Sequence, residues 1–451
     1  MTGLKKILTL LLLLLVCCGI AAQTTKWRDI YKVKKKDTIF GIAKKYDLSV
    51  SDLLEANPEM KAEGYELKKG DFVFIPFKTT TQTAQPAKTT TAKPAAAQAN
   101  SATIRVGIML PLHDINGDGR RMVEYYRGFL MACDQLRSEG ISTDIHAWNV
   151  PEGADIRQTL LDPAARQCDI IFGPLYTSQV AWLGRFCKEN GIKMVIPFSI
   201  NGDEVRTNPA VFQVYQRPEA VYDASIRAFM ERFSQCHPVF IDCNDTTSRK
   251  GPFTFGLRKQ LEKAAIAYSI TNTRSSDDMF AKAFSTSQPN VVILNTARSP
   301  QLNTVLAKLN ALRASHPSLR VSLFGYTEWL MYLSPYLDYY HKYDTYIPTT
   351  FYFNPLSDAT QGLENSYRHW FHKDMLAALP RFALTGYDQA EFFLRGLHRV
   401  GKAFTGSRRE SAYAPLQTPL QFSRQGAGGY QNTAFMLIHY KTDGSVDALS
   451  Y

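Results

Sequence analysis

Cysteine is sparse in this 451-residue chain, with seven in all, and two of them, Cys17 and Cys18, lie in the first twenty residues. The other five are Cys133, Cys168, Cys187, Cys236 and Cys243. They contain no CxxC pair and no Cys/His spacing that supports a zinc site. Their odd number leaves at least one thiol outside any internal disulfide. Cys168 with Cys187, and Cys236 with Cys243, flank short predicted elements. Either pair is open as a bridge in an oxidising compartment, or as single buried thiols. Acids are also short: 41 Asp and Glu face 52 Lys and Arg, a net charge of +11. The basic residues form no long block, and with an export signal at the N-terminus nucleic acid is not expected. A basic surface among acidic envelope polymers fits better.

Long apolar runs are missing after the first twenty residues, so no later segment has the length to span a bilayer. The one early run is short. Lys5 and Lys6 precede the apolar stretch Ile7 to Val16, and small residues follow at Gly19, Ala21 and Ala22. This is the grammar of a secretory signal over residues 1–22. Cleavage after Ala22 gives a soluble exported form in the periplasm or cell envelope. Lipid on Cys17 or Cys18 is the alternative.

Recognisable catalytic sets are absent. The chain has no HExxH, no HxH and no GxSxG. His369 and His372 lie three apart with Asp374 nearby, a spacing open to two metal ligands. An aromatic-rich amphipathic helix bearing Tyr367, Trp370 and Phe371 accounts for it more simply. The segment Asn116-Gly-Asp118-Gly hints at calcium but lacks a full ligand loop, and reads as a flexible turn. We expect no cofactor, no metal and no catalytic residue.

What is present divides the chain. Residues 78–102 contain no acid, no aromatic and no large aliphatic residue. Such a tract cannot bury enough apolar surface to offset its ordering entropy, so residues 79–102 read as a disordered linker. It separates a module of residues 27–78 from a larger unit, 103–451. In the small module Tyr31 to Val33 alternates as a strand, and Asp37-Thr38 opens a helix carrying Ile39, Ile42, Ala43 and Tyr46. Ser49 caps a second helix that ends at Asn57-Pro58. Gly70 turns the chain into a closing strand, Asp71 to Pro76. The order is βααβ.

YKVKKKDTIFGIAKKYDLSVSDLLEANP followed by LKKGDFVFIP resembles a LysM domain along its whole length. The matching positions are Tyr31, Val33, Asp37, Thr38, Ile42, Ala43, Leu54, Asn57, Leu67, Gly70, Ile75 and Pro76. Lys36 stands where the family usually has glycine, which bears on the tightness of the first ligand loop. The resemblance implies binding of glycans containing N-acetylglucosamine, such as peptidoglycan. It places the groove between Asp37, Thr38, Ile39 and Phe40 on one side and Asn57, Pro58, Glu59 and Met60 on the other. Helix capping by Asp37 and Thr38 and core packing by Ile39 are the plain structural readings of the same residues.

From Thr103 onward apolar strands alternate with helices, the pattern of parallel sheets covered on both faces. A strand at Ile104–Leu110, a helix from about Arg121 and a helix at Asp155–Arg166 belong to the first half. Strands at Pro238–Asp242, Val291–Leu294 and Arg320–Phe324 belong to the second. Long helices follow near Gly362–Leu379 and Asp388–Gly401. The fold class expected is α/β. IRVGIMLPL, DIIFGPLYTSQV, NGIKMVIPFS, LTGYDQAEFFLRGL and the closing PLQFSRQGAGGYQNTAFMLIHY resemble, in order, the type I periplasmic binding protein family, of which leucine-binding proteins are examples. That implies two lobes with doubly wound sheets. The first lobe is expected over about 103–216 and 345–414, the second over about 217–344 and 415–451. Ligands of such sheets bind beyond the carboxyl ends of strands. The candidates are Pro111, Leu112, Tyr176, Thr177, Ser178, Phe198 and Ser199 in the first lobe, and Tyr326 and Glu328 in the second. Ser178 resembles the hydroxyl that takes a ligand carboxylate, or is an N-terminal cap. Glu328 resembles the acid that takes a ligand amine, or is a solvated loop acid. Asp388 reads as a helix-start residue.

The expected function is a non-catalytic envelope protein that binds peptidoglycan and senses a small amino-acid-like ligand or docks an envelope enzyme. The fold resemblance extends to outer-membrane activators of peptidoglycan synthases. A solute receptor for an ABC-type amino-acid or peptide importer is the alternative, and a peptidoglycan hydrolase the third reading.

Overall fold

The computed structural model describes residues 27–35, 37–61, 65, 67–76, 103–198 and 202–451. The signal segment 1–22, the linker 79–102, Lys36 and Ser199 lie outside the described residues.

The N-terminal module is a two-stranded antiparallel sheet, Trp27–Lys32 against Phe72–Pro76, enclosing helices Ile39–Lys45 and Val50–Ala56 and a 3-10 turn, Pro58–Lys61. Thr38 Oγ1 accepts from the Gly41 amide and Ser49 Oγ from the Asp52 amide, so each helix starts at a side-chain cap. Gly70 has φ of 101°, a left-handed turn open to glycine. Val33, Ile42, Tyr46, Leu53, Val73 and Ile75 form the buried centre.

The described residues of 103–451 form two seven-stranded sheets. The first runs in the order Phe422–Arg424, Tyr430–Asn432, Val211–Gln213, Lys193–Ile196, Ile170–Phe172, Ile104–Leu110, Thr143–Asn149. The second runs Val446–Ser450, Met436–Tyr440, Thr345–Thr349, Val321–Phe324, Asn290–Leu294, His237–Asp242, Ser269–Asn272. Their central strands are parallel and lie between helices, as the βα alternation predicts.

The chain divides into two units. One holds the N-terminal module with residues 103–215, 361–413 and 422–431, and the other holds 216–360, 414–421 and 432–451. The expected lobe borders therefore move. Thr345–Thr349 lies in the second sheet and Phe422–Arg424 in the first. The first of these strands is hard to see in sequence because Pro348 interrupts it. It tolerates proline because its pairing to Val321–Phe324 is confined to Tyr346 opposite Phe324.

Other expectations shift locally. The long helix begins at Gly117, not Arg121, because Asn116 Oδ1 accepts from the Gly119 amide. Asn116-Gly-Asp118-Gly is thus a helix start. The expected helix Asp155–Arg166 is two short ones, Ile156–Thr159 and Pro163–Gln167. Pro163 begins the second, capped by Asp162. The late helix begins at Phe382, so Asp388 lies inside it, fully buried, and accepts from the Tyr413 hydroxyl at 2.7 Å. All five described cysteines are free thiols. Burial raises those of Cys133 and Cys168 to about 12.

Candidate functional site

In the small module the first loop is closed by Asp37. Its Oδ2 accepts from the Lys34 amide at 2.7 Å and from the Tyr31 hydroxyl at 2.8 Å. Burial alone would raise this carboxyl, but the Lys34 and Tyr31 hydrogen bonds and the charges of Lys45 and Lys34 bring it below the ordinary range. Burial and the bond to Asp37 raise the Tyr31 phenol to about 12. The loop then presents Thr38, exposed, and Phe40, which is 67% exposed. Ile39 is half-buried against the module's centre.

The opposite loop is less available than the sequence pattern implies. Asn57 is fully buried. Its Nδ2 donates to the Leu53 and Phe74 carbonyls at 2.8 and 2.7 Å, and its Oδ1 accepts from the Phe74 amide at 2.7 Å. Its side chain therefore ties the second helix to the closing strand instead of facing a ligand. Met60 is buried in the same centre. Pro58 and Glu59 lie in the 3-10 turn, and their side chains are outside what the structure describes. Substituting Asn57 with Ala strands the Phe74 amide and two carbonyls. We expect a loss of about 2 kcal/mol, read by chemical denaturation of the full chain.

In the first unit of the large domain the candidates sit beyond the carboxyl ends of parallel strands. Pro111 and Leu112 follow Ile104–Leu110 and are buried. Tyr176 is the cap residue of helix Thr177–Asn190 without a side-chain capping bond, and its hydroxyl donates to Asp118 Oδ2 at 3.3 Å. Thr177 and Ser178 are exposed in the first helical turn. Ser178 is thus inside the helix and is not its cap. Phe198 packs edge-on against Tyr125 at 5.4 Å.

In the second unit Tyr326 is buried, its hydroxyl donating to the Leu294 carbonyl. Glu328 lies in the 3-10 helix Thr327–Tyr332, its side chain 40% exposed and ion-paired. Its Oε1 accepts from Lys250 Nζ at 2.7 Å, and that ammonium stands 4.7 Å from the centre of the Tyr326 ring. A carboxylate expected to hold a ligand amine is paired with an amine of the same chain.

His369 and His372 do not form a metal pair on a helix. The helix ends at Phe371, and His372 turns out of it with φ of 54°. Its ring meets Tyr46 edge-on at 5.4 Å. Among the described residues no three His, Cys, Asp or Glu gather as a metal site.

Sequence reading missed the seam between the small module and the first unit. Asp29, 2% exposed, accepts from Arg127 Nη2 at 2.7 Å and Nε at 2.8 Å through Oδ1, and from the Tyr46 hydroxyl at 3.2 Å through Oδ2. The Arg127 guanidinium stands 5.2 Å from the centre of the Phe371 ring. Beside it Glu124 accepts from the Tyr367 hydroxyl and from the Leu376 amide at 2.8 Å. A legible signal existed: Glu124 and Arg127 are charged residues inside the otherwise apolar run of helix Gly117–Ser138. The two modules are therefore packed together, not merely tethered.

With the βααβ geometry in view, comparison with known families decides the small module. The LysM domain model matches residues 31–76. Residues 31–76 are a LysM domain. No curated protein matches the chain. Among solved structures, a branched-chain amino acid ABC transporter protein from Rhodospirillum rubrum is 16% identical with a TM-score of 0.51, over 77% of this chain and 100% of that one. A periplasmic ligand-binding protein of a branched-chain amino acid ABC transporter from Burkholderia xenovorans is 12% identical, TM-score 0.45, over 77% and 94%. LpoA from Haemophilus influenzae is 12% identical, TM-score 0.48, over 78% and 59%. The likeness to the first establishes the fold: beside the LysM domain the chain has the two-lobed fold of type I periplasmic binding proteins.

Proposed function

We propose that this chain is a non-catalytic protein of the bacterial cell envelope. Its LysM domain holds the N-acetylglucosamine glycan of peptidoglycan, and its two-lobed domain docks a partner, with an envelope enzyme the partner of choice. The observation that carries the reading is the LysM domain with its exposed rim of Thr38 and Phe40. A large apolar ring held out in water on a small module suits the apolar face and acetamido methyl of a sugar. Affinity at one shallow site is low and grows through the repeats of a polymer.

Against a receptor for a free amino acid stands the Lys250–Glu328 pair, which sets an ammonium beside the acid that a ligand amine would use. For a hydrolase the sequence offers no HExxH, HxH or GxSxG set.

The full chain should co-sediment with purified peptidoglycan. Phe40→Ala should weaken that binding about tenfold and leave the melting temperature unchanged, because the ring is not part of the core. Wild-type binding by Phe40→Ala would remove the rim from the site. Failure of the full chain to sediment would overturn the assignment to the wall.

A further inference from the structure

Beside the seam lies a cavity of about 1750 Å³ shared by the LysM domain and the first unit of the large domain. Its LysM wall carries five lysines, Lys32, Lys34, Lys35, Lys45 and Lys69, and no acid. Lys34, Lys35 and Lys69 are exposed, and among the described residues none of these three is in an ion pair. Burial first, then the like charge of Lys34, draws the Lys45 ammonium below its ordinary range.

The facing wall takes up one of these charges, Lys32 through Asp114 at 3.6 Å, and among the described residues none of its acids is ion-paired with Lys34, Lys35 or Lys69. Asp114 is paired with Lys32 and Arg120, Asp155 with Arg157, and Asp374 with Arg368. Asp162 accepts from the Trp148 indole, and Glu124 from Tyr367 and the Leu376 amide. On the same side Ile115 and Leu161 are 83% and 70% exposed, an apolar flank to a cationic wall.

The chain's own linker is a poor occupant. Residues 78–102 carry three lysines and no acid, the same sign as the wall. The occupant must be anionic and partly apolar. The loop supplying Lys34 and Lys35 continues directly into Thr38 and Phe40, so a polymer lying on the rim brings its neighbouring substituents to the lysines.

We propose that this LysM–lobe groove is a second subsite, which takes the stem-peptide carboxylates of the wall polymer. The inference rests on the wall-binding reading and adds to it a preference for anionic peptidoglycan over neutral glycan.

The test is calorimetry on the full chain with two probes of equal sugar length: a neutral N-acetylglucosamine oligomer and a peptidoglycan fragment with intact stem peptides. The fragment should bind more tightly, and only its affinity should fall as salt rises. The double variant Lys34→Glu/Lys35→Glu should lose about tenfold in affinity for the fragment and less than twofold for the oligomer. Lys69→Glu, in a separate turn, should act in the same direction, which guards against a local defect in the first loop. Equal affinity for the two probes, or lysine variants that leave the fragment untouched, would overturn the second subsite and leave the LysM rim standing. Absence of binding to either probe would overturn the wall-binding reading itself. Preference for a phosphate-bearing envelope polymer over the fragment would also overturn the carboxylate assignment.

Discussion

Arg127→Ala should release the LysM domain from the lobe beneath it. The substitution leaves Asp29, 2% exposed, with the Tyr46 hydroxyl as its remaining side-chain hydrogen-bond donor among the described residues. Breaking one side of a buried ion pair costs about 3–5 kcal/mol, because the remaining charge has lost its counter-ion but not its desolvation. The protein has a cheaper route than global unfolding: it can undock the module and return Asp29 to water. The cost should therefore appear at the seam. Amide exchange in Trp27–Lys32 and around residues 371–376 should accelerate about a hundredfold or more, while the sheet centred on Ile104–Leu110 stays protected. Exchange unchanged at the seam in the variant would show that the pair does not hold the modules. A second variant, Asp29→Asn with Arg127→Met, removes both charges. It should recover much of the loss, since neither side then keeps an unpaired buried ion.

Gly386→Ala should be nearly as damaging, for a steric reason. Helices Gly117–Ser138 and Phe382–Val400 approach so closely that a Cβ on Gly386 would stand 2.0 Å from the Tyr125 carbonyl oxygen. From the other side a Cβ on Gly128 would stand 1.8 Å from the Ala383 carbonyl oxygen. Both obstacles are backbone, which cannot swing away as a flexible side chain can. The helices must separate, at about 3 kcal/mol, and the melting temperature should fall. Circular dichroism with thermal melting reads this directly, and a melting temperature within a degree of wild type would show that the helices part without cost. Gly362→Ala is the control, because nothing lies within 4 Å of the position its Cβ would take.

The glycine result bears on how a motif is read. Leu-Thr-Gly-Tyr-Asp at 384–388 resembles the late helix of the binding-protein family. Both of its marked residues are accounted for by packing. Gly386 permits the helix contact, and Asp388 is buried against the Tyr413 hydroxyl. Asn57 teaches the same lesson in the LysM domain, where a residue that belongs to the family pattern serves as an internal clamp. A position can be required by a pattern because the fold needs it, and sequence alone does not separate that from contact with a ligand.

Much of this protein is determined locally and is legible without coordinates. Thr38 and Ser49 set two helix starts because their hydroxyls cap amides three residues on. The apolar runs at Ile104–Leu110 and Asn290–Leu294 specify buried parallel strands because both faces of such strands are covered. The order of LysM module, low-complexity tract and two-sheet domain follows from composition and periodicity, which are properties of neighbouring residues. Tertiary structure alone decided the rest. Pro348 lies in a strand because the pairing on one side of it is confined to a single residue pair. Glu328 is ion-paired because Lys250, 78 positions away, reaches it. Asp29 and Arg127, 98 positions apart, become one buried pair, and five lysines of one module become one wall of a groove. These are long-range electrostatic and packing relations. A sequence specifies them only through the completed fold, since charge has no periodicity that announces its partner.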